Sequence, residues 1–205
     1  MPGDRLTKYI FDYDYQMCNE RENWCCKIKS VFEQLNCTEV FNDKVLCDLD
    51  KCKAQLFTIA ETTWKQDVLS KPKLRTYVKF KNELTVSDHV KFVFNRYERS
   101  LLSKFRCGIL QLHIETGRFN QVQLEERLCA VCNMNCIEDE FHFLCICPLY
   151  GEERQYLYNA VSTKEMEFNM LDDEAKFIHL MHYHSKYVAR YIKTAWDKRK
   201  QILFN

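Results

Sequence analysis

Apolar side chains along this chain recur mostly at three- and four-residue intervals, the signature of helices that bury one face. Leu6, Tyr9, Ile10, Tyr13 and Met17 form a first stripe, with Asp4 placed to cap it. Trp24, Ile28, Val31, Phe32 and Leu35 form a second that ends near Asn36, and residues 36–47 read as a connecting loop. A longer stripe of Leu49, Cys52, Leu56, Ile59, Ala60, Thr63, Trp64 and Val68 comes after Asp48 as its cap and is closed by Ser70 and Pro72. These three helices are expected to form one small bundle over residues 1–70. Cys25, Cys26, Cys37, Cys47 and Cys52 are expected to pack inside it, because none of their spacings makes a ligand set.

The pattern then changes. In KPKLRTYVKFKNEL, Leu74, Thr76, Val78 and Phe80 alternate with Arg75, Tyr77, Lys79 and Lys81, which predicts an extended segment with one basic face, too short to make a sheet alone. From Thr85 or Ser87 a long helical region runs through Val90, Phe94, Tyr97, Leu101, Leu102, Phe105 and Ile109, with Lys91, Arg96, Arg99, Lys104 and Arg106 on its other faces. Gly108 is expected to kink or end it, and residues 113–120, HIETGRFN, read as a turn around Gly117. Helical spacing returns in Leu149, Tyr156, Leu157 and Ala160. Asp172 and Asp173 start a further helix with Ala175, Phe177, Ile178, Leu180 and Met181, and a last one runs from Tyr187 through Trp196 into Lys198, Arg199 and Lys200.

Composition narrows the class. Of 205 residues, 46% are hydrophobic and 29% charged, ordinary for a globular chain, while 4 Gly and 3 Pro leave little material for the turns of a sandwich or barrel. The fold expected is mostly α. The N-terminus carries charges where a signal peptide would be apolar, and no apolar run reaches membrane-spanning length. Twelve cysteines without a secretory leader imply reduced thiols, hence a nuclear or cytoplasmic setting and no membrane. Net charge is +1 but uneven: residues 71–127 hold 12 basic against 6 acidic side chains, while both flanks are acidic. A basic middle is a candidate polyanion surface, although a solvated helix face is the commoner cause of a charge run.

The densest chemistry lies in residues 128–150, LCAVCNMNCIEDEFHFLCICPLY, with Cys129, Cys132, Cys136, His142, Cys145 and Cys147. A C-x-x-C on a tight turn plus a His and a later Cys supply four soft or borderline donors, a set that favours zinc. A redox pair would call for a βαβ setting that the pattern lacks, and the plainer alternative is a group of inert core cysteines. On an unbroken helix Cys145 would share a face with His142. The three-to-five-residue separation of zinc fingers, together with Pro148 driving Cys147 out of the α region, favours Cys147 instead. His179, His182 and His184 invite a second metal reading, since the first two share a helix face. No carboxylate or thiol nearby completes a set, so an ordinary amphipathic helix is expected there.

Three stretches in fixed order carry a resemblance: RSLLSKFRCGILQLHIETGRF (99–119), LEERLCAVC (124–132) and EDEFHFLCICPLY (138–150). From about residue 71 to 150 the chain resembles the C-terminal region that follows the reverse transcriptase domain in polyproteins of non-LTR retrotransposons. The resemblance implies a zinc-binding tail module with Cys129, Cys132, His142 and Cys147 as ligands, helping the element's protein grip RNA or target DNA, with the parent reverse transcriptase domain as a further partner. It implies no polymerase activity in this chain, and Cys136 and Cys145 lie outside its ligand pattern.

The organisation expected is therefore a helical bundle (1–70), a basic extended segment and long helix (71–127), a Cys3His zinc knuckle (128–150) and C-terminal helices (151–205). The function expected is noncatalytic nucleic-acid binding, with Lys71, Lys73, Arg75, Lys79, Lys81, Arg96, Arg99, Lys104, Arg106 and Arg118 as phosphate contacts and no small-molecule substrate. Arg118 has an alternative partner in Glu115, and Phe119 an alternative place in the core. A zinc-held protein-interaction module, or a remnant of the element without function, are the other readings.

Overall fold

The computed structural model describes residues 3–204, with side chains described for 6–18 and 20–203. The chain divides into two compact units, residues 1–63 and 64–205. Among the described residues helices make up nearly all of the regular structure, and the only β-type pairing is an isolated antiparallel bridge between Leu128 and Ile137. No described helix is long and apolar enough to cross a membrane.

In the first unit α1 (Gly3–Gln16) runs into a single 3-10 turn, Met17–Asn19. The Asp4 side chain, expected as its cap, lies outside the described side chains. Asn23 caps α2 (Trp24–Gln34), its side chain accepting from Cys26 N–H at 3.2 Å. Residues 36–47, expected to be a loop, contain a short helix, α3 (Thr38–Asn42). Asn36 stops α2 in the left-handed region at φ 53°, and Phe41 is buried, so one apolar anchor suffices to fold a stretch too brief to show a period. The cap of α4 (Leu49–Ser70) is as expected: the Asp48 carboxylate accepts from Asp50 N–H at 3.0 Å and Lys51 N–H at 3.1 Å.

The second unit opens with the end of α4. Residues 71–81 are not extended but form two 3-10 turns, Pro72–Leu74 and Tyr77–Lys79. With no strand to pair with, the segment satisfies its backbone by i→i+3 bonds, and the residues it buries are Thr76 and Phe80, four apart, rather than every second one. The long helix expected from residue 85 is two: α5 (Asp88–Phe92) and α6 (Arg96–Arg106). Asn95 separates them, because its side chain accepts from Tyr97 and Glu98 N–H at 3.0 and 3.1 Å and so starts a new helix. Gly108 ends α6 at φ 64°, with Ile109 N–H returning to the Lys104 carbonyl at 2.9 Å. A Cβ at Gly108 would lie 2.0 Å from the Lys73 carbonyl oxygen, so only glycine fits there.

The turn expected at 113–120 is a helix, α7 (His113–Phe119), in which Gly117 leaves room for the stem of Arg127. After the knuckle come α8 (Gly151–Ser162), α9 (Asp173–Tyr183), capped as expected by Asp172 onto Ala175 N–H at 2.8 Å, and α10 (Ser185–Phe204). One core joins them all, with Leu102, Phe105, Phe143, Leu144, Tyr150, Leu157, Phe177, Leu180 and Ile192 fully or almost fully buried. The knuckle supplies Phe143, Leu144 and Tyr150 to that core and is part of the fold, not an appendage.

Candidate metal centre

The centre is built on two short pieces of chain. The first is a hairpin-like turn in which Cys129 N–H donates to the Cys136 carbonyl and Glu138 N–H to the Arg127 carbonyl, both at 2.9 Å. Between these bonds the chain doubles back, with Asn135 at φ 52°, and carries Cys129 and Cys132 on one side. The second is helical and begins at Asp139, whose carboxylate accepts from His142 N–H at 2.7 Å.

The fourth donor owes its place to the form of this second piece. His142–Ile146 is a single turn of π-helix, closed by Cys147 N–H donating to the His142 carbonyl at 2.8 Å. This wider turn brings the residue five places on back beside the first, where an α-turn would bring the third or fourth. Pro148 cannot continue the ladder, and Cys147 leaves it at φ −54°, ψ 122°. The freed carbonyls are satisfied from neighbouring helices: Arg154 of α8 donates to Leu144 and Cys147, and Tyr191 of α10 to Phe143.

One ligand atom each from Cys129, Cys132, His142 and Cys147 lies within 4.8 Å of all the others, and His142 Nε2 is 3.4 Å from Cys132 Sγ. Four donors converging in this way can hold a metal ion. Cys145 is not among them; it faces the core, and burial pushes its thiol up to about 12. Cys136 is also outside the set, its thiol directed at the Met134 carbonyl at 3.4 Å. Within the set, the contact with Cys147 and burial raise the Cys129 thiol to about 12, while the same contact lowers Cys147.

Each carboxylate of the acidic run before His142 anchors this geometry through partners of its own. Glu138 is fully buried, ion-paired with Arg199 of α10 at 2.6 Å and accepting from His113 N–H at 2.8 Å, where α7 starts. Asp139 caps the π-turn through the His142 N–H. Glu140, also fully buried, accepts from Arg75 at 2.9 Å and Thr76 at 2.9 Å. The sequence shows the acidic run but not the arginines that meet Glu138 and Glu140, which are 61 and 65 residues away.

The ten basic residues expected to meet phosphate divide into two groups. Arg106 is buried, donating to the Met181 carbonyl and lying over the Phe80 ring at 4.3 Å. Arg75 is held by Glu140, Arg118 by Glu115 at 2.7 Å, Lys79 by Glu174 at 2.7 Å and Lys71 by Asp67 at 3.8 Å. Arg99 donates to the Val93 carbonyl at 2.8 Å and Lys81 to the Thr85 hydroxyl at 2.6 Å. Lys73, Arg96 and Lys104 are exposed and form no ion pair among the described residues. Arg96 and Lys104 lie two turns apart on the exposed face of α6, with Ser100 between them, and the Lys73 main chain abuts Gly108 at the end of that helix. Phe119, next to Arg118, is exposed rather than in the core.

A second donor cluster corrects the expectation at the three histidines. Glu165 does complete a set with His179 and His184, while His182 contacts the Phe80 carbonyl instead.

Comparison with known proteins finds no family model, no curated sequence and no solved structure that matches this chain.

Proposed function

We propose that residues 64–205 form a noncatalytic module whose fold is held by one zinc ion at Cys129, Cys132, His142 and Cys147, and which grips RNA or DNA through the exposed basic side of α6. The observation that carries the zinc reading is the donor set itself. Three thiolates and one imidazole converging within 4.8 Å are the chemistry and number that tetrahedral structural zinc takes. The 3.4 Å between Cys132 Sγ and His142 Nε2 is close to the edge of a tetrahedron with a zinc–sulfur distance of about 2.3 Å and a zinc–nitrogen distance of about 2.1 Å. Bound there, zinc would neutralise the thiolates and tie the 129–132 turn to the π-turn. Four protein donors leave no open position for a substrate, so the ion's role is structural.

Nucleic-acid binding rests on Arg96, Lys104 and Lys73, cations of the middle segment with no acidic partner among the described residues. The similarity of residues 71–150 to retrotransposon tail regions agrees with this reading and suggests RNA or target DNA, and a parent reverse transcriptase domain, as partners. Protein purified under reducing conditions is expected to carry zinc at the Cys3His set, and to lose helical signal when that ion is chelated. Affinity for single-stranded RNA or DNA is expected to fall with salt, and the triple variant K73A/R96A/K104A to reduce the log–log slope by about two.

A second reading, a zinc-held protein-interaction module, is favoured by the first unit. Leu6, Tyr9, Ile10 and Tyr13 of α1 are all exposed, and Ile28, Val31, Leu49 and Leu56 line an apolar groove. Absence of nucleic-acid binding at low salt would select this reading.

A further inference from the structure

We propose that Glu165, His179 and His184 form a second, labile site for a divalent transition-metal ion of the zinc type, distinct from the Cys3His centre and independent of its role. The three side chains come from different places. Glu165 precedes a 3-10 segment (Met166–Met170), His179 lies in the body of α9, and His184 is the first residue past its end, at φ −117°, ψ 35°. Their ligand atoms nonetheless meet: Glu165 Oε2 to His179 Nε2 is 2.7 Å, Glu165 Oε1 to His184 Nε2 is 3.3 Å, and the two Nε2 atoms are 3.2 Å apart.

Hydrogen bonding accounts for the two carboxylate contacts but not for the approach of the two Nε2 atoms. With Glu165 ionised, each histidine contact to the carboxylate needs a proton on that Nε2. The two N–H groups would then donate one to each carboxylate oxygen, which leaves the 3.2 Å approach of the two Nε2 atoms without a hydrogen bond of its own. Removing either proton leaves a lone pair facing a carboxylate oxygen. A cation at the centre resolves all three contacts at once, since both imidazoles then present Nε2 lone pairs to it. With metal–nitrogen distances of about 2.1 Å, neighbouring donors lie about 3.0 Å apart in an octahedron and about 3.4 Å apart in a tetrahedron, a range that holds the 3.2 and 3.3 Å separations and exceeds the 2.7 Å one.

Two imidazoles and one carboxylate make a borderline set suited to zinc and its neighbours, and three protein donors leave positions for water. The site also differs from the first in exposure. His184 is buried, but the His179 side chain is 26% and that of Glu165 42% exposed, so an ion has a path in and out. Phe168, Tyr183 and Tyr187 ring the histidines, with His179 5.9 Å from Phe168 and 5.0 Å from Tyr183, and His184 6.2 Å from Tyr187. Filling the site would fasten the segment after α8 to the corner between α9 and α10.

The test is zinc binding to the full chain, read as ions per chain and as shifts of the histidine ring signals in NMR spectra. Wild type and H182A are expected to take a second zinc ion after the first, whereas H179A and E165Q keep the first and bind the second at least about a hundredfold more weakly. Wild type saturating at one ion would overturn the proposal. So would a second ion that H179A and E165Q leave unchanged, or one that H182A removes. Cobalt(II) separates the two sites, because only the Cys3His centre gives thiolate charge-transfer absorption; wild type that binds cobalt at the histidines without that band would count against the structural centre alone.

Discussion

Two donor clusters, His142 with Cys147 and His179 with His184, join residues five apart, a spacing that an α-helix turns away from itself by about 140°. Both do so by leaving α geometry at the second donor: Cys147 at ψ 122° and His184 at ψ 35°. They differ in what holds that departure. At the first, Arg154 and Tyr191 satisfy the freed carbonyls, and Glu138 and Glu140 pin the chain that leads into the turn. At the second, aromatic rings pack around the two histidines, and the Glu165 side chain is 42% exposed. Sharing a spacing does not give two sites one role; burial, donor number and backbone support separate a centre that holds a fold from one that exchanges its ion.

The largest expected effect tests that separation. Structural zinc in a thiol-rich site contributes on the order of 10 kcal/mol at neutral pH, comparable to the whole stability of a domain. C147S is therefore expected to abolish tight zinc binding and unfold the second unit, seen as loss of far-UV circular dichroism and of protease resistance. H179A, by contrast, is expected to leave helical content unchanged in protein carrying one zinc ion at the Cys3His centre. Equal unfolding in the two variants would erase the distinction.

A smaller effect sharpens the claim that buried ion pairs support the first centre. Arg199 and Glu138 are 5% and 0% exposed, so R199A strands a carboxylate in the core and is expected to cost roughly 3–5 kcal/mol. Chemical denaturation of the zinc-loaded protein measures it. A shift under about 1 kcal/mol, the usual size for an ordinary point change, would mean that solvent reaches the pair.

Much of this is readable in the sequence wherever a local rule decides the outcome. Asp48 and Asp172 cap the helices expected of them, and Pro148 after Cys147 marks the break that makes Cys147 a donor. What is not readable depends on partners distant in sequence. Arg106 looks like a surface charge until α9 offers a carbonyl and Phe80 a ring, and Arg75 until the buried Glu140 arrives from 65 residues on. The alternation at 71–81 misleads because period two describes a strand only where another strand is available. At the histidines, helical-face spacing selects His179 and His182 and passes over His184 and Glu165. The rule that picks Cys147 over Cys145, a second donor beyond the end of its helix, would find His184.

A cap tests the first centre more gently. Asp139 accepts from His142 N–H at 2.7 Å, so D139A frees the start of the turn that carries a ligand and is expected to cost about 1 kcal/mol with zinc stoichiometry unchanged. Thermal denaturation of the zinc-loaded variant measures the cost, and metal analysis the stoichiometry.

The smallest effect bears most directly on the shared spacing. Cys145, three residues after His142, is where an ordinary helix would place the partner donor, and Cys147, five after, is where the π-turn places it. Cys145 is 6% exposed and belongs to the apolar core, with the Tyr158 side chain beside its thiol, so C145S places a hydroxyl there without touching the ligand set. It is expected to keep its zinc at wild-type affinity and lose at most about 1 kcal/mol of stability. Zinc lost in C145S and kept in C147S would show that the turn is α-helical in solution and that the five-residue spacing is not what the centre uses. The case for reading His179 and His184 in the same way would then lose its precedent.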